Sequence, residues 1–489
     1  PAFLRRAMKQ YKEYAFTELT KKSISTFSDE NTSRYISALT NDAVCIETNY
    51  LAKIFTLLTK SVSFVGGLVM MLLYSPLLTG FALLLSLVPL AVSVLCGNRL
   101  ARMETEVSRQ NESFVAMTKD LLSGFSVVKS FKAEAEVVAR FCRRNEELEE
   151  TKGRRRRMEE VITMLGTGAG IVAQLGVFLF GAYLAVTKQG VTPGVVIVFL
   201  PLMSFVVDPI GSVPPILANR RAAVALIDKL ADAVGKNVRE SGEQMDPVLR
   251  DGITIDHLTY GYHESAPVLN DVSVRFEAGK SYAIVGTSGS GKSTLVNLLM
   301  GSSNDYQGSI RFDQRELRSI ATESLYGLVS VVQQNVFIFD DTIRNNITMF
   351  RHFDEMLVQQ ATEKAGLTPL LAERGEDYIC GENGSGLSGG ERQRISIARC
   401  LLRQTPVLLI DEATAALDAA TAYSVSAAIL AIEGLTRIVV THRLEEPLLR
   451  KYDEILVLKN GEICERGSFD ALMARPEQFS ALFNVSHRL

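Results

Sequence analysis

Two short stretches of this chain carry residue types that handle phosphate. Gly286-Thr287-Ser288-Gly289-Ser290-Gly291-Lys292-Ser293-Thr294 fits the pattern GxxxxGK[ST]. Its glycines let backbone N–H groups close around phosphate oxygens, Lys292 reaches the β- and γ-phosphates, and Ser293 offers a hydroxyl to Mg2+. The second stretch, Val407-Leu408-Leu409-Ile410-Asp411-Glu412, is an apolar run ending in two carboxylates. Asp411 stands where an acid supports the cation, mostly through water, and Glu412 is placed to polarise an attacking water. Together they indicate nucleoside triphosphate hydrolysis and nothing narrower. A third stretch, Leu387-Ser388-Gly389-Gly390-Glu391-Arg392-Gln393-Arg394, is a glycine-rich turn opening a helix. Backbone N–H groups at Gly389 and Gly390, the positive helix end and the Ser388 hydroxyl make it a second phosphate grip.

The elements needed to position these groups are legible nearby. An apolar strand over Tyr282 to Val285 precedes the first loop and a helical segment, Leu295 to Met300, follows it, which is the context the motif requires. From about Asp251 onward the chain reads as an ordinary α/β domain with charges spread throughout.

Upstream the composition changes. Leu51 to Tyr74, Leu77 to Gly97, Val161 to Val186 and Val195 to Leu217 are apolar runs of the length that crosses a ~30 Å hydrocarbon core as a helix. Ser75-Pro76 is all that separates the first two, so they form a tight helical hairpin. Lys60, about two turns into the first run, snorkels. Flanking charge sets the orientation: Arg5, Arg6, Lys9, Lys12, Arg99, Arg102, the run Arg154 to Arg157, Arg220 and Arg221 fall on one side, and Lys188 alone on the other. The side rich in Lys and Arg is cytoplasmic, which puts both ends of the chain there. Residues 98–160 show helical charge patterning, as at Arg143, Arg144 and Glu147, and read as helices continuing out of the bilayer. Asp208 lies inside the last run with no second charge evident to pair it, beside Pro209, which is expected to break the helix.

The net charge of −3 gives no reason to expect nucleic acid. The six cysteines, Cys45, Cys96, Cys142, Cys380, Cys400 and Cys464, lack metal or disulfide spacing and read as isolated buried thiols. The chain opens on Pro1, without an initiator Met or signal-peptide pattern, and reads as beginning mid-protein.

With these motifs in this order, the sequence resembles the exporters of the ATP-binding cassette (ABC) family over nearly its whole length. Leu387 to Arg394 is similar to their signature motif. The resemblance implies that Ser388, Gly389 and Gly390 hold the ATP of a partner subunit. It also makes Gln334, in Val331-Val332-Gln333-Gln334, the Q-loop glutamine at the Mg2+ and water; adjacent Gln333 is the alternative, and the spacing to Phe339 favours Gln334. It makes His442 the switch histidine at the γ-phosphate, Tyr262 the aromatic stacked on adenine, and Asp418, in Ala415-Ala416-Leu417-Asp418, the D-loop acid, with Ala415 where the family often has Ser. Phe27 to Thr32 and Leu121 to Glu134 resemble the two intracellular loops, the latter carrying a coupling helix.

The fold expected is therefore an α-helical transmembrane domain followed by an α/β P-loop NTPase domain of ABC type. Boundaries are 1–235 for the first, 236–250 for a linker and 251–489 for the second. By resemblance, the four spans match the third to sixth of a usual six, the first two being absent. The function implied is ATP-driven export across the cell membrane by a dimer of half-transporters, a homodimer or a heterodimer, with a cytoplasmic ATPase domain. Its cofactors are ATP and Mg2+, and its substrate is unspecified. A non-transporting truncated ATPase, a soluble-type ABC ATPase and an importer component stay open at this stage.

Overall fold

The computed structural model describes residues 2–22, 32–187, 190–235, 242–262, 267–412 and 416–486. Residues 27–31 of the first intracellular-loop motif, Lys188, the first part of the expected linker and Ala415 lie outside the described residues, as do the side chains of residues 92–98, including Cys96. The chain divides near residue 238 into two compact units.

The first unit is helical. Helix α1 spans Ala2–Leu19, and the chain from Thr32 leads through two π-helical turns into α2, Ala52–Tyr74. Helices α3 (Pro76–Ser123), α4 (Phe125–Ser130), α5 (Glu134–Val186) and α6 (Pro193–Gly235) follow. The α2–α3 hairpin turns on Ser75 alone, whose extended φ of −160° stops one helix while its hydroxyl accepts from the Leu78 N–H and caps the next. Pro76 takes the first helical position, where its missing N–H costs nothing. Helices α3 and α5 run far beyond membrane length, as the charge pattern of residues 98–160 predicts. An Arg144–Glu147 ion pair 2.5 Å long lies on α5.

Inside this unit Met71, Leu78, Ala173, Val177, Phe199, Met203 and Val206 form a buried cluster. Small residues let the helices approach: a Cβ on Gly67 would lie 2.9 Å from the Phe205 Cβ, and one on Gly176 would lie 2.8 Å from a Leu85 methyl. Among the described residues, three helices are long and apolar enough to cross a membrane: Arg34–Tyr74, Glu134–Val186 and Pro193–Asp232. The expected span at Leu77 to Gly97 lies within the unbroken helix α3, whose described apolar part is Pro76–Ala91.

Two expectations are corrected here. Helix α6 does not break at Pro209; it continues through Pro209 and Pro214 to Gly235. Neighbouring helices hold a proline-bearing helix together in this setting. Asp208 does have a partner. Its carboxylate forms an ion pair with the Lys60 ammonium of α2, so Lys60 turns to a neighbouring helix instead of snorkelling.

The second unit contains two sheets. One is antiparallel, in the order β2 (Leu269–Glu277), β1 (Gly252–Tyr260), β4 (Gln307–Phe312) and β5 (Arg315–Glu316). The other has six strands in the order β10 (Glu462–Gly467), β9 (Glu454–Lys459), β3 (Ser281–Gly286), β8 (Thr436–Val440), β7 (Val407–Asp411) and β6 (Val329–Val332). All pairings from β9 to β6 are parallel. Strands β3 and β8 are buried along their whole length, which explains their continuous apolar and β-branched runs. The described cysteines are free thiols, and Cys142 and Cys464 are exposed, unlike the buried thiols expected.

Candidate nucleotide site

Register decides where the chemistry sits. Asp411 pairs with Val440, Ile410 with Val332 and Ile284 with Val440 across neighbouring strands. The carboxyl ends of β3, β6, β7 and β8 are therefore level. The next residues on each strand are the phosphate loop, Gln333-Gln334, Glu412, and Thr441-His442. This is the crevice where parallel α/β sheets bind ligands.

The loop from Gly286 to Gly291 leads into α7, Lys292–Leu299. Gly286 and Gly291 have φ of 153° and 101°, and a Cβ at Gly286 would lie 2.2 Å from the Leu458 carbonyl oxygen. Only glycine fits there. Lys292 is buried, and its ammonium donates to the carbonyls of Gly286 at 3.1 Å and Thr287 at 2.8 Å. Burial pulls its pKa below the usual lysine range, against the attraction of Glu412 and Asp411. Thr287, Ser288 and Gly289 form the exposed arch of the loop; Ser290 beneath it is buried, and its Oγ has no hydrogen-bond partner.

The Ser293 hydroxyl donates to Asp411 Oδ1 at 3.1 Å. Burial holds the Asp411 carboxyl above its ordinary range, with Ser293 opposing and Glu412 reinforcing the shift. A hydroxyl and a half-buried carboxylate side by side are hard oxygen donors awaiting positive charge, which fits Mg2+. Among the described residues there is no cluster of three His, Cys, Asp or Glu side chains able to hold a metal ion. The donor set therefore suits a cation that takes its remaining ligands from phosphate and water.

Glu412 follows β7 in a left-handed conformation, φ 52°, held by its N–H donating to the Val440 carbonyl at 3.1 Å. Backbone strain of that kind concentrates at functional sites. Here it aims the carboxylate at two partners: His442 Nε2 lies 2.7 Å from Oε1, and Gln334 Nε2 donates to Oε2 at 3.0 Å. Lys292, Ser293, Gln334, Asp411, Glu412 and His442 thus converge on one end of one sheet. Gln334, and not Gln333, makes the Glu412 contact. Tyr262 is 60 % exposed, packs edge-on against Tyr260 at 5.4 Å and shares a hydrogen bond of 3.2 Å with the Thr294 hydroxyl. Its free ring face lies beside the loop.

Ser388 stands apart from this cluster. It caps α8, Gly389–Leu402, in a capping box: its N–H donates to Glu391 Oε2 at 2.7 Å and its Oγ accepts from the Glu391 N–H at 3.3 Å. The hydroxyl proton is left free to donate. No hydrogen bond or ion pair among the described residues joins Ser388, Gly389 or Gly390 to the phosphate loop. Their neighbours are the D-loop residues: a Cβ on Gly389 would meet Ala416 at 3.2 Å, and one on Gly390 would meet Leu417 at 3.1 Å. Asp418 caps α9, Ala419–Leu430, accepting from the Thr421 N–H at 2.9 Å, which lowers its pKa.

Three positioning residues escaped the sequence reading. Buried Gln393 accepts from the Ala416 N–H at 3.2 Å and so ties the signature helix to the D-loop. Arg443 donates to the Leu417 carbonyl at 2.6 Å from the other side. Arg399 donates to the Phe337 carbonyl at 2.7 Å and to Asn346 Oδ1 at 2.8 Å, joining α8 to the segment after Gln334. Gln393 sits within the quoted signature run and Arg443 beside His442, but each acts on a backbone group whose closeness only the fold creates.

Comparison with known proteins agrees with this architecture. The family profile described as ABC transporter transmembrane region matches residues 5–210, and that described as ABC transporter matches residues 269–415. The chain belongs to the ABC transporters. The transporter is 29 % identical over 488 residues to an ATP-dependent lipid A-core flippase of Syntrophus aciditrophicus, covering 97 % of this chain and 79 % of the relative. It is 28 % identical over 482 residues to the protein of that name from Yersinia pestis, covering 96 % and 81 %. A solved structure of a bacterial Atm1-family ABC exporter with ATP bound shares the fold, with a TM-score of 0.91 at 23 % identity over 99 % of this chain and 86 % of that one. The transporter is an integral membrane protein, and its ATPase domain is cytoplasmic.

Proposed function

We propose that this transporter exports an amphiphilic substrate across the membrane, driven by ATP bound and hydrolysed between the ATPase domains of two half-transporters. The relatives named lipid A-core flippases support the amphiphilic class. One observation carries the shared site: Ser388 opens its helix free of the phosphate loop of its own chain, with its hydroxyl proton unspent. Both halves of a site are present in one chain, so two copies form two complete sites.

In this reading residues 1–235 form the transmembrane domain, with four spans, and 251–489 the nucleotide-binding domain. Tyr262 stacks on adenine, an aromatic contact that suits any base. Gly286 to Thr294 wraps the phosphates, and Lys292 exchanges its two carbonyl partners for phosphate oxygens. Ser293 and Asp411 hold Mg2+, with Gln334 at its edge. Held by those residues, Mg2+ would supply positive charge to offset the negative charge that develops during transfer. Glu412 takes a proton from the attacking water, His442 steadies Glu412 and then the γ-phosphate, and Ser388 to Gly390 of the partner subunit close the far side. ATP contacts the second subunit only in the closed dimer, which gives it the differential affinity needed to drive closure and change the side to which the membrane helices open.

Complementation tests this directly. Lys292→Ala spoils the phosphate loop and Ser388→Arg spoils the signature turn, each giving a subunit inactive alone. Co-expressed copies restore turnover if the site is shared between chains, because one of the two composite sites is intact. Absence of recovery in a purified mixed dimer rejects the shared site. Movement of a fluorescent lipid in proteoliposomes, dependent on ATP and lost with Glu412→Gln, tests export.

A further inference from the structure

The ion pair between Lys60 of α2 and Asp208 of α6 lies deep in the membrane-spanning unit. Counted along each helix from its end at the non-cytoplasmic side, Tyr74 or Pro193, the two groups are about 21 Å and about 22 Å down, well inside a hydrocarbon core of about 30 Å. Lys60 also lines a groove of ≈ 380 Å³ whose other walls, Ser61 apart, are apolar, among them Phe64, Val65, Leu90, Val213 and Pro214. The pair is not sealed: 58 % of the Asp208 side chain and 27 % of the Lys60 side chain are accessible. A charge pair left open beside an apolar groove is costly, so it is a candidate for recognition.

We infer that this is a head-and-tail site for a single-chain amphiphile carrying a zwitterionic phosphate–ammonium head. The chain occupies the Phe64–Val213 groove, the phosphate pairs with Lys60, and the ammonium pairs with Asp208. The reasoning is electrostatic. An anionic head that took Lys60 would strand the Asp208 carboxylate in a low dielectric, and a cationic head that took Asp208 would strand the Lys60 ammonium. Removing one partner of a pair in such surroundings is strongly unfavourable, whereas exchanging both partners at once leaves no charge uncompensated. The inference rests on the export reading only in making the bound amphiphile a substrate.

Binding measured without nucleotide separates the two. The full chain in nanodiscs of phosphatidylglycerol is loaded with radiolabelled dodecylphosphocholine, and unlabelled dodecylphosphocholine, dodecyl phosphate and dodecyltrimethylammonium compete. The zwitterion should compete better than either singly charged probe by at least about tenfold. Lys60→Met/Asp208→Leu should erase that preference, and the exchange Lys60→Asp/Asp208→Lys should keep it, since both charges remain. Equal or tighter competition by either singly charged probe overturns the inference. So does a preference that survives in the neutral variant, or one lost in an exchange variant that is monodisperse and still binds ATP. Intact binding without vectorial movement would count against export alone.

Discussion

Glu412 is held between His442 and Gln334, with one carboxylate oxygen on each: His442 Nε2 is 2.7 Å from Oε1 and Gln334 Nε2 is 3.0 Å from Oε2. Both oxygens are engaged, so the residue proposed to receive a proton is fixed in orientation without nucleotide. Positioning is the larger part of phosphoryl-transfer catalysis, and three loops share that task here.

Replacing Glu412 by Gln keeps the shape and removes the proton acceptor. Turnover should fall at least about a hundredfold, the scale of general-base catalysis, with ATP binding preserved. Steady-state hydrolysis and nucleotide binding on the same preparation check this, and size-exclusion with ATP should show a trapped dimer. Unchanged turnover would remove Glu412 from the base role.

Asp411 yields a pH dependence. Burial raises its carboxyl pKa, so it takes up a proton at higher pH than an exposed acid would. In the proposed site a proton and Mg2+ would compete for the same oxygens. The Mg2+ concentration for half-maximal hydrolysis should rise as pH is lowered from neutrality toward the carboxyl range, and should do so earlier than for an exposed acid. Mg2+ titrations at fixed ATP across that range read the effect, and a requirement independent of pH would exclude Asp411 as the cation's ligand.

Gln393 provides a test of positioning. Gln393→Leu removes the acceptor for the Ala416 N–H, while Gln393→Glu keeps an oxygen in place. Loss of one such bond at a buried site, worth about 1 kcal/mol, should slow turnover about fivefold in the Leu variant. The Glu variant should recover most of the rate, with ATP affinity similar in both.

Arg437 concerns stability. Buried in β8, it donates to the carbonyls of Ile429 at 3.2 Å, Leu430 at 2.6 Å and Gly279 at 3.3 Å. Arg437→Met removes these three bonds, the Ile429 carbonyl keeping the Ile432 N–H, at a cost of about 3 kcal/mol. The ATPase-domain unfolding midpoint should fall by about 6–12 °C, read by calorimetry.

The phosphate loop was legible because its demands are local. Gly286 and Gly291 need positive φ, and Lys292 and Ser293 follow at once in sequence. Asp411 and Glu412 were legible for the same reason, at the end of a strand that reads as buried. The apolar runs announced the membrane unit because bilayer thickness fixes helix length. What escaped depends on contacts between distant segments. Lys60 and Asp208 are joined only by the packing of α2 against α6, so each looked alone in sequence. Gln393, Arg399 and Arg443 act on backbone groups that no motif identifies. Pro209 was misread because its local rule describes a helix in water, and here neighbouring helices supply what the proline removes.

The shared register of β3, β6, β7 and β8 also decides where the protein tolerates added chain. An insertion after Val332, Asp411 or Val440 would throw one ligand-bearing loop out of step with the others. The turns that enter the same strands, 404–406 before β7 and 433–435 before β8, lie at the opposite edge of the sheet. An epitope or fluorescent reporter spliced there should leave hydrolysis intact, giving a handle on the ATPase domain that is remote from its chemistry.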